Sequence, residues 1–356
     1  MITLNELREA EPSFRLRSDV KATETVAMLC SVDGLSDGGI ALVKDRKYFD
    51  KLVSHIDCRS TIGEIGIIFQ EAFYRSFPEV NQWEGLSRLR FYATVASVDV
   101  ALSRWSALFY HALNHGHIRS VDGRISGLVL ISPSAAVAEH VFIGEDVEID
   151  ADCRIHAGCV ILSGSRVGRG SILYPQVVLY RNVQIGRNCI VHANTTVGSD
   201  GFSFNFVDGH HLKVWHFGGV RIGDNVEIGA NCSIDQGTLS PTIIGAGTKI
   251  DNQVHIAHNC RVGKGVIICG QSGLAGSVTI GDFAVIAGAV NIAPDVRVGH
   301  GARIGGMSGV TGNIPDGTDY AGHPARPVKQ WLRSQATLRR LAVRSNGSLE
   351  EDNSAA

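Results

Sequence analysis

The stretch TIIGAGTKIDNQVHIAHNCRVGKGVIICG, residues 242–270, places an aliphatic side chain at every sixth position: Ile244, Ile250, Ile256, Val262 and Ile268. Carried forward, the same register holds through Leu274, Ile280, Ile286, Ile292, Val298, Ile304 and Val310. Carried backward, it breaks at TLSP (238–241), resumes at Ile234, Ile228 and Ile222, and breaks again across residues 198–220. Before that it runs without exception from Ile131 to Val197. All 27 stepped positions are aliphatic. A period of six fits neither a 3.6-residue helix nor a simple alternating strand. It fits a parallel β-solenoid of three short sides, in which each aliphatic points inward and stacks on its equivalent one coil away. Gly245, Gly263, Gly281 and Gly299 recur at the coil spacing, as expected where corners need a permissive backbone. With strands roughly 4.8 Å apart, nine or so coils make a rod on the order of 40 Å long. Its interior is filled, so any site lies on the outside, at a corner, an insertion or a subunit interface.

The polar residues of KIDNQVHIAHNC, residues 249–260, then need an explanation. With Ile256 pointing in, His258 follows the corner and projects outward, where a neutral imidazole can act as a general base. One coil on, His258 is matched by Gly276, whose N–H is left uncovered and can stabilise an oxyanion. A further coil on stands Pro294, which has no N–H, so this pairing occurs once. The plainer reading makes His258 an interface or capping residue, and Asn252 and Gln253 rungs of a hydrogen-bond ladder between coils. His255 reads as structural or as lining the neighbouring surface. His210, His211 and His216 fall in the insertion, with no Cys or carboxylate at ligand spacing, and no metal site is expected.

Outside the repeat the pattern changes. Residues 1–120 read as a small α/β domain: IALVKDRKYFDKLV as a strand entering a helix, STIGEIGIIFQEAFYRSF and VASVDVALSRWSALFYHAL as amphipathic helices. Residues 121–315 form the solenoid, and residues 316–346 a C-terminal extension. Pro and Gly end the repeat there, and a helix is expected from Val328. No acidic residue occurs between Tyr320 and Ser348, against Arg326, Lys329, Arg333, Arg339, Arg340 and Arg344. That helix is either a solvated basic surface or a docking face for an acidic partner. Residues 347–356 read as a disordered tail.

A net charge of −2 over 356 residues gives no reason to expect nucleic-acid binding. The opening MITLNELREAEPSF has no signal pattern, and no apolar run is long enough to span a membrane. The eight cysteines, Cys30, Cys58, Cys153, Cys159, Cys189, Cys232, Cys260 and Cys269, show no zinc spacing. They are expected as small buried residues in a reducing, cytoplasmic setting.

The segments VGSDGFSF, VRIGDNVEIGANCSIDQGTL, TIIGAGTKIDNQVHIAHN, GLAGSVTIGD and YAGHPARPVKQWLR resemble one branch of the hexapeptide-repeat, left-handed β-helix acyltransferases. That branch transfers 3-hydroxyacyl chains to UDP-3-O-acylglucosamine in lipid A assembly. The resemblance covers residues 197–335 strongly and implies a mainly β fold: a left-handed parallel β-helix with an N-terminal α/β domain and a C-terminal helix. It implies a homotrimer with sites between subunits. It implies two substrates, a UDP-amino-sugar and an acyl carrier protein bearing a 4′-phosphopantetheine thioester, with no other cofactor. Under it, His258 is the general base and Gly276 the oxyanion donor. Asp251, Asn252, Gln253 and His255 are substrate-binding candidates, Asp251 orienting an imidazole or the sugar. Lys329, Arg333, Arg339 and Arg340 are the carrier-protein contacts.

Three departures stand out. Asp295 occupies the place where such enzymes often carry a second His. In the uridine-binding domain, Tyr48 is present, but Leu42 stands at the stacking position, a weaker platform for a uracil ring than an aromatic side chain. Gly309 lies where bulkier side chains limit the acyl groove, so a longer chain is expected. A paralogue acting on a different amino-sugar nucleotide, a lipid A O-acyltransferase and a non-catalytic trimeric scaffold are the competing readings.

Overall fold

The structure of the protein, a computed structural model, describes residues 1–18, 20–57, 64–114, 129–323 and 327–351. Cys58, Arg326 and the expected first domain boundary near residue 120 lie outside the described residues.

Short strands wrap into three parallel sheets of nine, nine and ten strands among the described residues. Ile143 pairs with Ile161, Ile149 with Val167 and Ile155 with Leu173, one pair on each side of the prism. The aliphatics at every sixth residue from Ile143 to Val310 therefore stack into one continuous buried core. Val137, in the first coil, is covered by a neighbour on one side only and is 36% exposed. The mainly β, three-sided parallel β-helix expected from the sequence is the architecture present. The seven described cysteines are free, and all but Cys269 are buried. Cys260 is sealed in the core with its Sγ 3.1 Å from the Ala275 carbonyl. Burial pushes its thiol up to about 12, which makes it inert as a nucleophile.

The corner glycines work differently from the expectation. Gly245, Gly263, Gly281 and Gly299 lie outside the left-handed region, but an added Cβ at any of them would collide with the backbone of the next coil. The left-handed corners are taken instead by residues such as Gln253 (φ 60°), Asn259 (φ 61°), Ser277 (φ 64°) and Asp295 (φ 59°). Asn and Asp tolerate that conformation better than most side chains. Close coil-to-coil approach, rather than backbone freedom, thus explains the glycine period.

The N-terminal unit is a five-stranded sheet in the order Arg15–Leu16, Phe91–Val95, Gly66–Gln70, Gly39–Val43, Met28–Cys30, parallel except at its first pair. Helix Val98–Asn114 covers one face and helix Arg46–Asp57 the other, each over its own apolar cluster. The reading of STIGEIGIIFQEAFYRSF as one helix is corrected here. Gly66–Gln70 is a central strand, and among the described residues of this stretch Glu71–Ser76 alone is helical. The run GIIF is apolar at every position because a parallel strand between two layers is buried on both faces.

Two solenoid residues, Phe217 and Leu239, pack against the N-terminal core. Both lie within the register breaks, so the interruptions dock the first unit onto the second. The 198–220 insertion contains an antiparallel hairpin of Phe204–Val207 and His210–Lys213. Asn205 Nδ2 donates to the Asp99 carbonyl (2.7 Å) and to Ser103 Oγ (2.8 Å), and Trp215 N donates to Ser106 Oγ (3.1 Å). These bonds pin the insertion to helix Val98–Asn114. At the other end, helix Val328–Glu351 carries Lys329, Arg333, Arg339 and Arg340 exposed. It continues through Gly347 to Glu351, into the stretch expected as a tail. Among the described residues no helix is long and apolar enough to cross a membrane.

Candidate functional site

His258 follows strand His255–Ile256, and its ring is held on several sides. Its Nδ1 lies 3.0 Å from Asn259 Oδ1. Asn259 cannot turn its amide, because Oδ1 also accepts from Thr238 N (3.1 Å) and Oγ1 (3.0 Å), while Nδ2 donates to the Ser240 carbonyl (3.2 Å). With Oδ1 fixed as an acceptor, the Nδ1 proton of His258 points to it and Nε2 carries the lone pair. That nitrogen faces Gly276: a Cβ there would stand 2.8 Å from both Cε1 and Nε2. The Gly276 carbonyl accepts from Asp295 N at 3.1 Å, while its N–H has no acceptor among the described residues. A basic nitrogen and an uncommitted backbone donor thus share one corner.

The insertion forms the back wall. A Cβ at Gly201 would come within 2.6–2.8 Å of the His258 ring and Cβ, so only glycine admits this approach. His216 is buried and meets the His258 ring edge-to-face, 5.2 Å between centroids. Burial, and then the neighbouring His258, pull the His216 imidazole down to about 4. A histidine with a depressed pKa favours folding when neutral, so this contribution is present above about pH 6.5 and is lost as pH falls toward 4. The protein is expected to lose roughly 3 kcal/mol across that window from this group. Urea titrations at pH 7 and pH 4 check this, with His216→Phe flattening the difference.

Two hollows meet at the His258–Gly276 corner. A groove of about 750 Å³ runs along the outer face of the solenoid. Phe202, Ala257, Ala275, Ala293 and Pro294 make it largely apolar, with His255, His258, Gly276, Asp295 and Gly309 along it. A cleft of about 390 Å³ opens between the N-terminal unit and the solenoid, lined by Leu42, Tyr48, Lys44, Lys47, Lys51, Asn259 and Arg261. Ser277 and Asp295 line both. The groove suits an acyl chain. The cleft is cationic by a small margin: Lys44, Lys47, Lys51 and Arg261 face Asp33, Asp99 and Asp295. Asp99 lies 3.7 Å from Lys44 and Asp33 3.9 Å from Arg261, which leaves Lys47 and Lys51, among the described residues, as its uncompensated cations for a polyanion.

The sequence candidates fall into three groups. His258, Gly276, His255, Asp295 and Gly309 line the groove, and Tyr48 and Leu42 line the cleft. Leu42 is only 8% exposed and chiefly serves the core of the sheet. Asp251, Asn252 and Gln253 sit at a different corner of the prism and line neither hollow. Asp251 accepts from Gly270 N (3.0 Å), Asn252 from Ala230 N (2.7 Å), and Gln253 from Gln271 Nε2 (3.2 Å), so they ladder adjacent coils. Within this chain the imidazole partner is Asn259, not Asp251. The basic residues of the C-terminal helix line neither hollow.

Several residues escape sequence reading: Asn259, Gly201, His216 and Asp235. Asp235 is buried and accepts from Ser199 Oγ at 2.9 Å, with His255 Nε2 3.8 Å away. Burial raises its carboxyl above the usual range. Only Asn259 had a signal, its place beside His258.

Comparison with known proteins adds the following. A sequence profile described as bacterial transferase hexapeptide (six repeats) matches residues 164–199 and 241–276, the second stretch running from the start of one coil to Gly276. The chain is 42% identical over 163 residues to a protein of Methylobacterium sp. (strain 4-46) named UDP-3-O-acylglucosamine N-acyltransferase, covering 46% of each. It is 58% identical over 91 residues to a protein of that name from Leptospira biflexa, covering 26% of each. The aligned region therefore spans less than half the length of the curated relatives it matches. Among solved structures, a UDP-N-acetylglucosamine acyltransferase from Campylobacter jejuni aligns over 52% of this chain and 68% of its own, at 29% identity and a TM-score of 0.39. The resemblance noted in the sequence is the one the curated N-acyltransferase relatives bear out.

Proposed function

We propose that the protein is an N-acyltransferase. It moves a 3-hydroxyacyl chain from acyl carrier protein to the 2-amine of UDP-3-O-acylglucosamine, a step of lipid A biosynthesis. The observation that carries this reading is the His258 Nε2 facing Gly276 where an apolar groove meets a cationic cleft. The similarity to curated N-acyltransferases of that name supports it. The acyl chain lies in the groove and the nucleotide diphosphate in the cleft, near Lys44, Lys47, Lys51 and Arg261.

The amine nitrogen attacks the thioester carbonyl carbon, forming the C–N bond. The negative charge on the carbonyl oxygen is held by the Gly276 N–H. His258 Nε2 takes the proton released from nitrogen, and Asn259 Oδ1 keeps its Nδ1–H in place. The adduct collapses, the C–S bond breaks, and His258 returns its proton to the leaving thiolate. The products are an amide and free phosphopantetheine thiol. No metal or covalent enzyme intermediate takes part. The enzyme works as a cytoplasmic homotrimer, and the exposed Lys329, Arg333, Arg339 and Arg340 receive the acidic carrier protein.

Gly309 sets the chain length. An added Cβ there meets nothing within 4 Å, so a larger side chain fits and projects into the groove. Gly309→Met is expected to lower kcat/KM for the longest accepted acyl chain by roughly tenfold while sparing shorter ones. A series of acyl carrier protein thioesters measures it. A second reading, acylation of another amino-sugar nucleotide, is favoured by Leu42 and Asp295. A competition among UDP-amino-sugars, with kcat/KM for each, separates the two.

A further inference from the structure

The mechanism above leaves one buried imidazole unused. His216 is 1% exposed, and its Nδ1 lies 2.9 Å from the Val214 carbonyl, which fixes the proton on Nδ1. Its Nε2 is buried without a hydrogen-bond partner among the described residues. An apolar side chain would fill this space without burying an unpaired acceptor. The charged and titratable groups that face it are His258, Asp200 and Lys213. Asp200 is committed elsewhere, accepting from Gln236 Nε2 (3.1 Å) and pairing with Lys213 Nζ (2.9 Å). The Trp215 ring, stacked on Tyr110 at 4.1 Å, and its backbone bond to Ser106 Oγ fix the chain beside His216. The ring is therefore rigidly presented, and its contact is the imidazole of His258.

We propose that His216 is a positioning residue, whose edge-to-face contact holds the His258 imidazole with Nε2 aimed at the Gly276 corner. This rests on the reading of His258 as the base. The hydrogen bond from His258 Nδ1 to Asn259 Oδ1 is a single pivot about which the ring can rock. Gly201 limits it on the Cδ2 side, and Gly276 lies against Cε1 and Nε2. His216 supplies the remaining side. Because His216 stays neutral, His258 can take up a proton without a second cation beside it. The insertion thereby serves as part of the catalytic frame, braced on helix Val98–Asn114 of the N-terminal unit.

The test compares His216→Ala and His216→Phe in the full-length protein. Two readouts are used: steady-state kinetics, and the rate at which diethyl pyrocarbonate modifies His258, followed by mass spectrometry. His216→Ala is expected to lower kcat about tenfold with KM for both substrates within about twofold, the size of a lost edge-to-face contact. His216→Phe, which restores a ring, recovers kcat to within about threefold of the parent. His258 is modified faster in His216→Ala than in either other protein. Unchanged kcat in His216→Ala, or a raised KM at constant kcat, would overturn the proposal. So would equal losses in both variants with His258 modified at the parent rate, which would make His216 a builder of the insertion only. If the parent makes no amide, the modification rates still decide the role of His216, and only the assigned reaction fails.

Discussion

His258→Ala is expected to lower kcat for amide formation by about 10²–10⁴-fold, the span attributed to a positioned general base, with little change in KM. The reasoning is geometric. Among the residues at the meeting of groove and cleft, His258 directs an unprotonated ring nitrogen at the Gly276 corner. Its loss leaves Asn259 anchored by Thr238 and Ser240, so the corner keeps its shape. The fold therefore survives the change, and unaltered circular dichroism and oligomer mass should accompany the lost turnover. Initial rates with saturating acyl donor and varied acceptor measure the effect. A variant that retained more than a tenth of the parent kcat would remove His258 from the role of base.

The second large effect is at Gly276. Its backbone lies outside the left-handed region, so alanine is conformationally acceptable there. The added Cβ, however, would stand 2.8 Å from two atoms of the His258 ring, closer than real Cβ contacts come. The imidazole must move, and the methyl enters the space where the carbonyl oxygen of the substrate would meet the N–H. Gly276→Ala is expected to lower kcat by about 10²–10³-fold, comparable to removal of an oxyanion donor. Stability should fall by no more than about 1–3 kcal/mol, the range of an added methyl that displaces a packed side chain. Paired measurements of kcat and of thermal unfolding separate the two. Loss of stability in step with activity would make Gly276 a packing glycine instead.

The solenoid was fully legible because its core repeats: one inward aliphatic per short side, with Ile256 and Leu274 stacked at the coil spacing, leaves little freedom. The same arithmetic brought His258 and Gly276 together, since neighbours across coils are neighbours in the sequence period. Legibility failed where the physics is not periodic. GIIF carries no alternation because both faces of that strand are buried, so it passed for helix. The corner glycines were assigned to backbone freedom, although the coil above is what excludes a side chain. Asp251, which the resemblance makes an orienter of an imidazole or the sugar, turns a different corner from His258 within this chain. His216 belongs to the interruption of the repeat, where register says nothing about position. Its contact with His258 depends on how the hairpin is hung from helix Val98–Asn114. Arg261 comes to Lys44 and Lys47 through the docking of the two units, made by Phe217 and Leu239 and by the hydrogen bonds of Asn205 and Trp215.

The most direct measurement is to incubate the protein with 3-hydroxyacyl-acyl carrier protein and UDP-3-O-acylglucosamine and identify the product by mass spectrometry with amide-selective fragmentation. A second acyl chain on the 2-nitrogen, formed with release of carrier thiol and absent with His258→Ala, is the expected result. Acyl transfer to a hydroxyl, or no transfer to this acceptor from a well-folded protein, would contradict the assigned reaction.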